Sequence, residues 1–203
     1  MTEAKKGIEA SFPDTQVDTY AVSISDYEKV NTIVKEVGKI DVLALNAGSM
    51  PPAAPVLDIE PKDLEQTFAT NVFGPLNLIK AFFALPNDDK TNPRTILYVS
   101  TAGITSPMPG TGVYNASKNA ATFIMRSIDA EYGSTGLRTF AYHPAVAWTP
   151  MARDVLGLKE DSAPYDNSTS ASPEVQIKYP LTILQKTCLP HLLSGCAAPR
   201  RTS

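Results

Sequence analysis

Tyr114 and Lys118 stand four residues apart in the run Tyr114-Asn115-Ala116-Ser117-Lys118. On a helix, residues at i and i+4 share a face, so the phenol and the ammonium become neighbours. An ammonium beside a phenol favours the phenolate and lowers its pKa from about 10. A phenol tuned that way works as a general acid or base near neutral pH. Alone, the pair reads more readily as an ordinary amphipathic helix surface. Its surroundings give it weight. Ser100-Thr101-Ala102-Gly103 closes an apolar run fourteen residues before Tyr114, Asn46-Ala47-Gly48 closes an earlier one, and Asn71 lies between them. Open α/β sheets place their sites at the carboxyl ends of parallel strands. A hydroxyl there can hydrogen-bond a substrate oxygen.

Those residues need strands and helices to carry them. Residues 4–10 fit the tail of a helix that Phe12-Pro13-Asp14 breaks. Residues 16–24 alternate loosely and predict a strand. Ser25-Asp26 caps a helix with Val30, Ile33, Val34 and Val37 on one face, ending at Gly38. Residues 40–45 and 95–100 are short, nearly continuous apolar runs, as expected of parallel strands covered on both faces. Long helices are expected over 61–85 and 114–132, and a third apolar strand over 137–142. This alternation implies a parallel α/β sheet. Beyond Met151 the chain changes character: 161–173 is rich in Ser, Pro, Thr and Asn, and no convincing strand is legible in 180–203. The expected organisation is therefore a partial dinucleotide-binding domain over 1–151 and a loop-rich remainder over 152–203.

Composition narrows the classes. The 203 residues carry 18 Lys and Arg against 21 Asp and Glu, a net charge of −3 with no basic block. Nucleic-acid binding by counterion release is therefore not expected. No apolar run approaches the roughly 18 residues of a membrane span, and Met1–Ala10 lacks the apolar stretch of a secretory signal. Two cysteines do not make a disulfide framework, which points to a reducing, cytoplasmic location. Cys188, His191 and Cys196 offer three ligands, no fourth and no standard zinc spacing, so no metal site is expected. His143, before Pro144 at a strand end, fits a pocket wall better than a catalyst.

Taken together, the chain from about Gln16 to Met151 resembles a short-chain dehydrogenase/reductase. The resemblance rests on VSISD, LNAG ending a strand, Asn71 in TNVFG, the serine of STAG, YNASK, and HPAVAWT after the last strand, in that order. It implies that Tyr114 exchanges a proton with a carbonyl or alcohol, and that Lys118 lowers the tyrosine pKa and bonds the nicotinamide ribose. Ser100 would polarise the substrate oxygen, with Thr101 the alternative hydroxyl if the register shifts by one. Asn71 would hold a water in a proton relay leading from Lys118. It further implies NAD or NADP, which the sequence does not distinguish, held by Asn46, Ala47, Gly48, Tyr114, Lys118, Pro144, Val146 and Thr149. The substrate would be a small carbonyl compound or secondary alcohol. Trp148, Met108 and Val113 fall where the substrate pocket would be. A homo-oligomer built through helices 61–85 and 114–132 is implied as well.

The departures from the family are equally specific. Members open with a strand and a glycine-rich turn whose backbone N–H groups cradle the cofactor pyrophosphate; here the only glycine before Gly38 is Gly7. The expected fold is thus an incomplete Rossmann-like doubly wound parallel sheet lacking its first two strands and its last. In such a sheet, 16–24 either collapses onto 40–45 or leaves the latter as a bare edge. Cofactor binding by these residues is expected to be weak. The remaining reading is an inactive fragment or a non-catalytic binding member of the family, since the glycine-rich cofactor motif is missing.

Overall fold

The computed structural model describes residues 2–87, 93–144, 149, 151 and 182–183. Helix α1 (Thr2–Ser11) leads into an extended stretch and then α2 (Tyr27–Val37). Asp26 caps α2, its carboxylate accepting the Lys29 N–H at 3.3 Å, and Gly38 ends it at φ 75°, where a side chain would be strained. Val30 and Val34, one turn apart, are its buried face.

Strand β1 (Val42–Leu45) is followed by α3 (Pro61–Phe68), which begins on a proline suited to a first helical position. The chain then widens into a π-turn over Ala69–Phe73 before tightening into α4 (Gly74–Ala84). Strand β2 (Thr95–Val99), helix α5 (Gly112–Tyr132) and strand β3 (Arg138–His143) complete the alternation. The strands run in the order β1-β2-β3-β4, parallel from β1 to β3. A short β4 (Thr182–Ile183) adds antiparallel to β3, opposite Tyr142 and His143.

The core lies between this sheet and α4 and α5. Leu45, Val72, Ile79, Phe82, Ile96, Tyr98, Ala121, Met125, Ile128, Leu137 and Ala141 form one buried cluster. Arg94, just before β2, ties down the end of α4: its guanidinium donates to the carbonyls of Phe82 (2.9 Å) and Leu85 (3.3 Å) and lies 4.9 Å from the Phe82 ring centre. The last turn of a helix leaves such carbonyls without intrahelical donors.

Three expectations need correction. Residues 16–24 form no strand and pair with no neighbouring strand among the described residues, because period-two alternation makes a strand only where a neighbour supplies hydrogen bonds. Of the two alternatives expected for a shortened sheet, the bare edge is realised: β1 pairs with β2 alone among the described residues. Among the described residues the central strand is not covered on both faces. Ile96 and Tyr98 are fully buried while their alternating neighbours are only partly so, because α4 and α5 pack on one face. Finally, β4 shows that 180–203 does hold strand residues, too few for a periodic signal. The rest of 152–203, including both cysteines and His191, lies outside the described residues.

Because Phe82 is fully buried and holds Arg94 over its face, Phe82→Ala should lower stability by about 3–5 kcal/mol. Urea unfolding monitored by circular dichroism checks this; a loss below about 1 kcal/mol would show that α4 is not anchored there.

Candidate active site

The π-turn places Asn71 in the core with no exposed surface. Its side-chain amide then behaves like a strand partner for the loop after β1. Oδ1 accepts the Ser49 N–H at 2.8 Å, and Nδ2 donates to the Ser49 carbonyl at 2.8 Å. The second Nδ2 proton goes to Ser117 Oγ at 2.9 Å, and Ser117 in turn donates to the Tyr114 carbonyl at 2.7 Å. One amide thereby joins the β1 loop, the π-turn and the first turns of α5.

Lys118 is buried at 2% exposure, and its ammonium donates to the Val99 carbonyl at 2.8 Å. The same ammonium lies 4.9 Å from the Tyr98 ring centre and 5.8 Å from that of Tyr114. Gly48 closes the cluster: a Cβ there would stand 3.4 Å from Lys118 Nζ and 3.6 Å from Asn71 Oδ1. Burial lowers the Lys118 pKa to about 8 and pushes that of the half-buried Tyr114 up. Tyr114 therefore departs from the lowering expected of an adjacent ammonium. Desolvation dominates at the phenol, while the ammonium lies toward ring faces and gives a proton to Val99.

Ser100 has another partner. It is 2% exposed, and its Oγ is 2.7 Å from Thr122 Oγ1. Thr122 already donates its one proton to the Lys118 carbonyl at 2.8 Å, so Ser100 must be the donor in the pair. Thr122 lies eight residues beyond Tyr114, about 12 Å along the helix. Thr101 is placed differently. It is partly exposed, and its Oγ1 accepts the Gly103 N–H at 3.2 Å, leaving its own proton uncommitted among the described residues. The loop carrying it packs on the first turn of α5, where a Cβ at Gly103 would collide with the Asn115 side chain.

The structure thus brings Asn71, Tyr114, Lys118 and Gly48 together at the carboxyl end of β1. Asn46 and Ala47 are exposed beside Gly48, Pro144 follows β3, and Thr149 is exposed. Val146 and Trp148 lie outside the described residues; Met108 is half exposed and Val113 buried. Tyr98 and Thr122 escaped the sequence reading. Period two places Tyr98 on the face of Ser100, but only the packing of α5 shows which face that is. Among the described residues no group of three metal-ligating side chains occurs, and no helix is long and apolar enough to cross a membrane.

A lysine held near pH 8 when folded and near 10.5 when unfolded leaves the unfolded chain with more bound protons between those values. Stability should therefore rise with pH across that window, by about 2 kcal/mol from pH 8 to 9.5. The buried tyrosines act oppositely only above about 10. Chemical denaturation at several pH values should show the rise in the parent chain and a flat profile for Lys118→Met. Parallel profiles would mean that Lys118 is not the group.

The profile of the short chain dehydrogenase family matches residues 1–157. A short chain dehydrogenase/reductase, AacuD of Aspergillus aculeatus, is 35% identical over 151 residues, covering 74% of this chain and 52% of that protein. Another from Claviceps purpurea is 34% identical over 151 residues, covering 73% and 50%. This chain spans about half the length of these relatives. Among solved structures, a short chain dehydrogenase from Burkholderia cenocepacia in complex with NADP is 27% identical with a TM-score of 0.59, covering 66% of this chain and 55% of that one. One from Salmonella enterica, 17% identical, shares the fold at a TM-score of 0.72, covering 85% and 70%. With its buried asparagine, Tyr114–Lys118 pair and parallel sheet in place, the chain belongs to the short-chain dehydrogenase/reductase family.

Proposed function

We propose that this chain carries the catalytic half of an NAD(P)-dependent oxidoreductase acting on a small carbonyl compound or secondary alcohol. The observation that carries the reading is the Tyr114–Lys118 pair, held by Asn71 through Ser117 at the carboxyl end of the sheet. Tyr114, protonated at neutral pH like any phenol and held so more firmly by burial, donates a proton to the carbonyl oxygen in the reductive direction. Lys118 keeps a positive charge beside the phenol and steadies the phenolate left behind. A strand-end hydroxyl polarises the substrate oxygen. Thr101, with a free proton over the start of α5, suits that role as the side chains stand, and Ser100 serves it only by leaving Thr122. Asn71 keeps the β1 loop and α5 in register.

Bound NAD or NADP supplies or accepts the hydride. The residues fit one end of it. Gly48, with no side chain to fill the space before Lys118 and Asn71, leaves room for the nicotinamide ribose. Asn46, Ala47, Pro144, Val146 and Thr149 would line the remainder. The pyrophosphate end is unmatched among the described residues, since α2 begins on the carboxylate of Asp26, which would repel a phosphate. A phosphate cradle contributes several charge-assisted hydrogen bonds of about 1.5–3 kcal/mol each. At ~1.4 kcal/mol per tenfold, the 203-residue chain alone should bind NADH or NADPH no tighter than roughly millimolar. The second reading is an inactive fragment or a non-catalytic binding member of the family, supported by the pyrophosphate end that the described residues leave unmatched. Exposed Leu64 and Phe123, on the two long helical segments, support a homo-oligomer through 61–85 and 114–132.

Two measurements decide between the readings. Fluorescence titration with NADH and NADPH should give the weak binding stated; a micromolar Kd overturns it. At cofactor concentrations in the millimolar range, reduction of a panel of aldehydes and ketones should be detectable and fall about 10²-fold or more in Tyr114→Phe. Thr101→Val should lose more activity than Ser100→Ala. A folded chain that reduces nothing supports the non-catalytic reading.

A further inference from the structure

Tyr98 is fully buried in the strand that precedes the candidate hydroxyls, and the proposed chemistry leaves it without a task. Two contacts give it one. Its hydroxyl lies 3.3 Å from the backbone carbonyl of Asn71 and donates to it. That carbonyl belongs to the π-turn, where Gly74 N–H reaches back to Ala69 and the regular helical ladder is interrupted. Its ring, meanwhile, lies 4.9 Å from the Lys118 ammonium, closer than the ring of Tyr114. One side chain therefore touches both the turn that sets Asn71 and the charge that serves Tyr114.

We propose that Tyr98 is a positioning residue that couples the π-turn to the lysine: its hydroxyl bonds the Asn71 carbonyl and its face carries the Lys118 ammonium. The hydroxyl occupies one of the two lone pairs of that carbonyl and so ties the wide turn to β2. The ring offers a cation a negative face in a site where few other groups can stabilise it. The ionisable groups facing the ammonium are Tyr98 from β2 and Tyr114 from its own helix; the Val99 carbonyl takes one of its protons. Burial of Tyr98 raises its own pKa, so its hydroxyl remains a donor across the working pH range. The functional meaning of this coupling rests on Tyr114 and Lys118 being the reactive pair; the coupling itself does not.

The test therefore uses no cofactor. In the chain labelled with ¹³C at lysine Cε, and with Lys118 identified by its loss in Lys118→Met, the Lys118 ε-methylene should resonate upfield of the other lysines. That displacement should persist in Tyr114→Leu and vanish in Tyr98→Leu. The Lys118 pKa should hold in Tyr98→Phe and fall by about half a unit or more in Tyr98→Leu. Tyr98→Phe keeps the ring and removes the hydroxyl, so exchange of the Gly74 amide should accelerate about fivefold. An ordinary Lys118 methylene in the parent chain overturns the ring contact even if Tyr98→Leu does not fold. A Lys118 pKa that is unchanged or raised in folded Tyr98→Leu overturns its role with the charge. Unchanged Gly74 exchange in Tyr98→Phe overturns the link to the turn. Failure of NADPH binding or carbonyl reduction would touch none of these results.

Discussion

A single buried amide holds the working end of this protein together. Asn71 has no access to solvent, and each of its polar atoms would be costly to leave unpaired there. All are paired: Oδ1 and one Nδ2 proton with the backbone of Ser49, the other proton with Ser117. Ser49 follows the end of β1, and Ser117 sits between Tyr114 and Lys118. The position of the loop, the register of α5 and the width of the π-turn are consequently one problem with one solution. Shifting any of the three leaves a buried donor or acceptor empty.

The same economy of partners explains the hydroxyls. Ser100, Thr122 and the Lys118 carbonyl form a chain in which every proton has a destination. This run of hydrogen bonds braces α5 against β2 beneath the turn that carries Tyr114 and Lys118. Thr101, one residue on, points its hydroxyl into a different setting because successive strand residues face opposite ways. Two neighbouring residues of similar chemistry thus take up different work, one bracing the helix and the other keeping its proton uncommitted among the described residues.

Lys118 shows the tension in such a site. Its ammonium is buried at a cost that lowers its pKa to about 8. What it receives in return is one carbonyl and two aromatic faces. A group held near neutrality by burial responds sharply to anything that changes its surroundings, a property common at catalytic positions. The sheet edge carries a different tension. Val42 is more than half exposed on a strand that pairs on one side only among the described residues, and such an edge offers unpaired backbone groups to another strand.

Much of this was legible in the sequence. Apolar runs of four to six residues alternating with helical periodicity established the parallel α/β sheet, because burial between layers leaves that imprint locally. Tyr114 and Lys118 as neighbours on one helix face, and Gly48 at a strand end, were legible too, because i,i+4 spacing and the close of an apolar run are properties of the chain itself; Asn71 was singled out only through the family resemblance. Tertiary structure alone decided the rest. Residues 16–24 carried a strand's alternation yet formed none, for a ladder requires a neighbour that no local pattern can supply. The partner of Ser100, the task of Tyr98 and the upward push on the Tyr114 phenol depended on which face of β2 meets α5. Hydrogen-bond partners and desolvation arise between segments distant in sequence, and only packing brings those segments into contact.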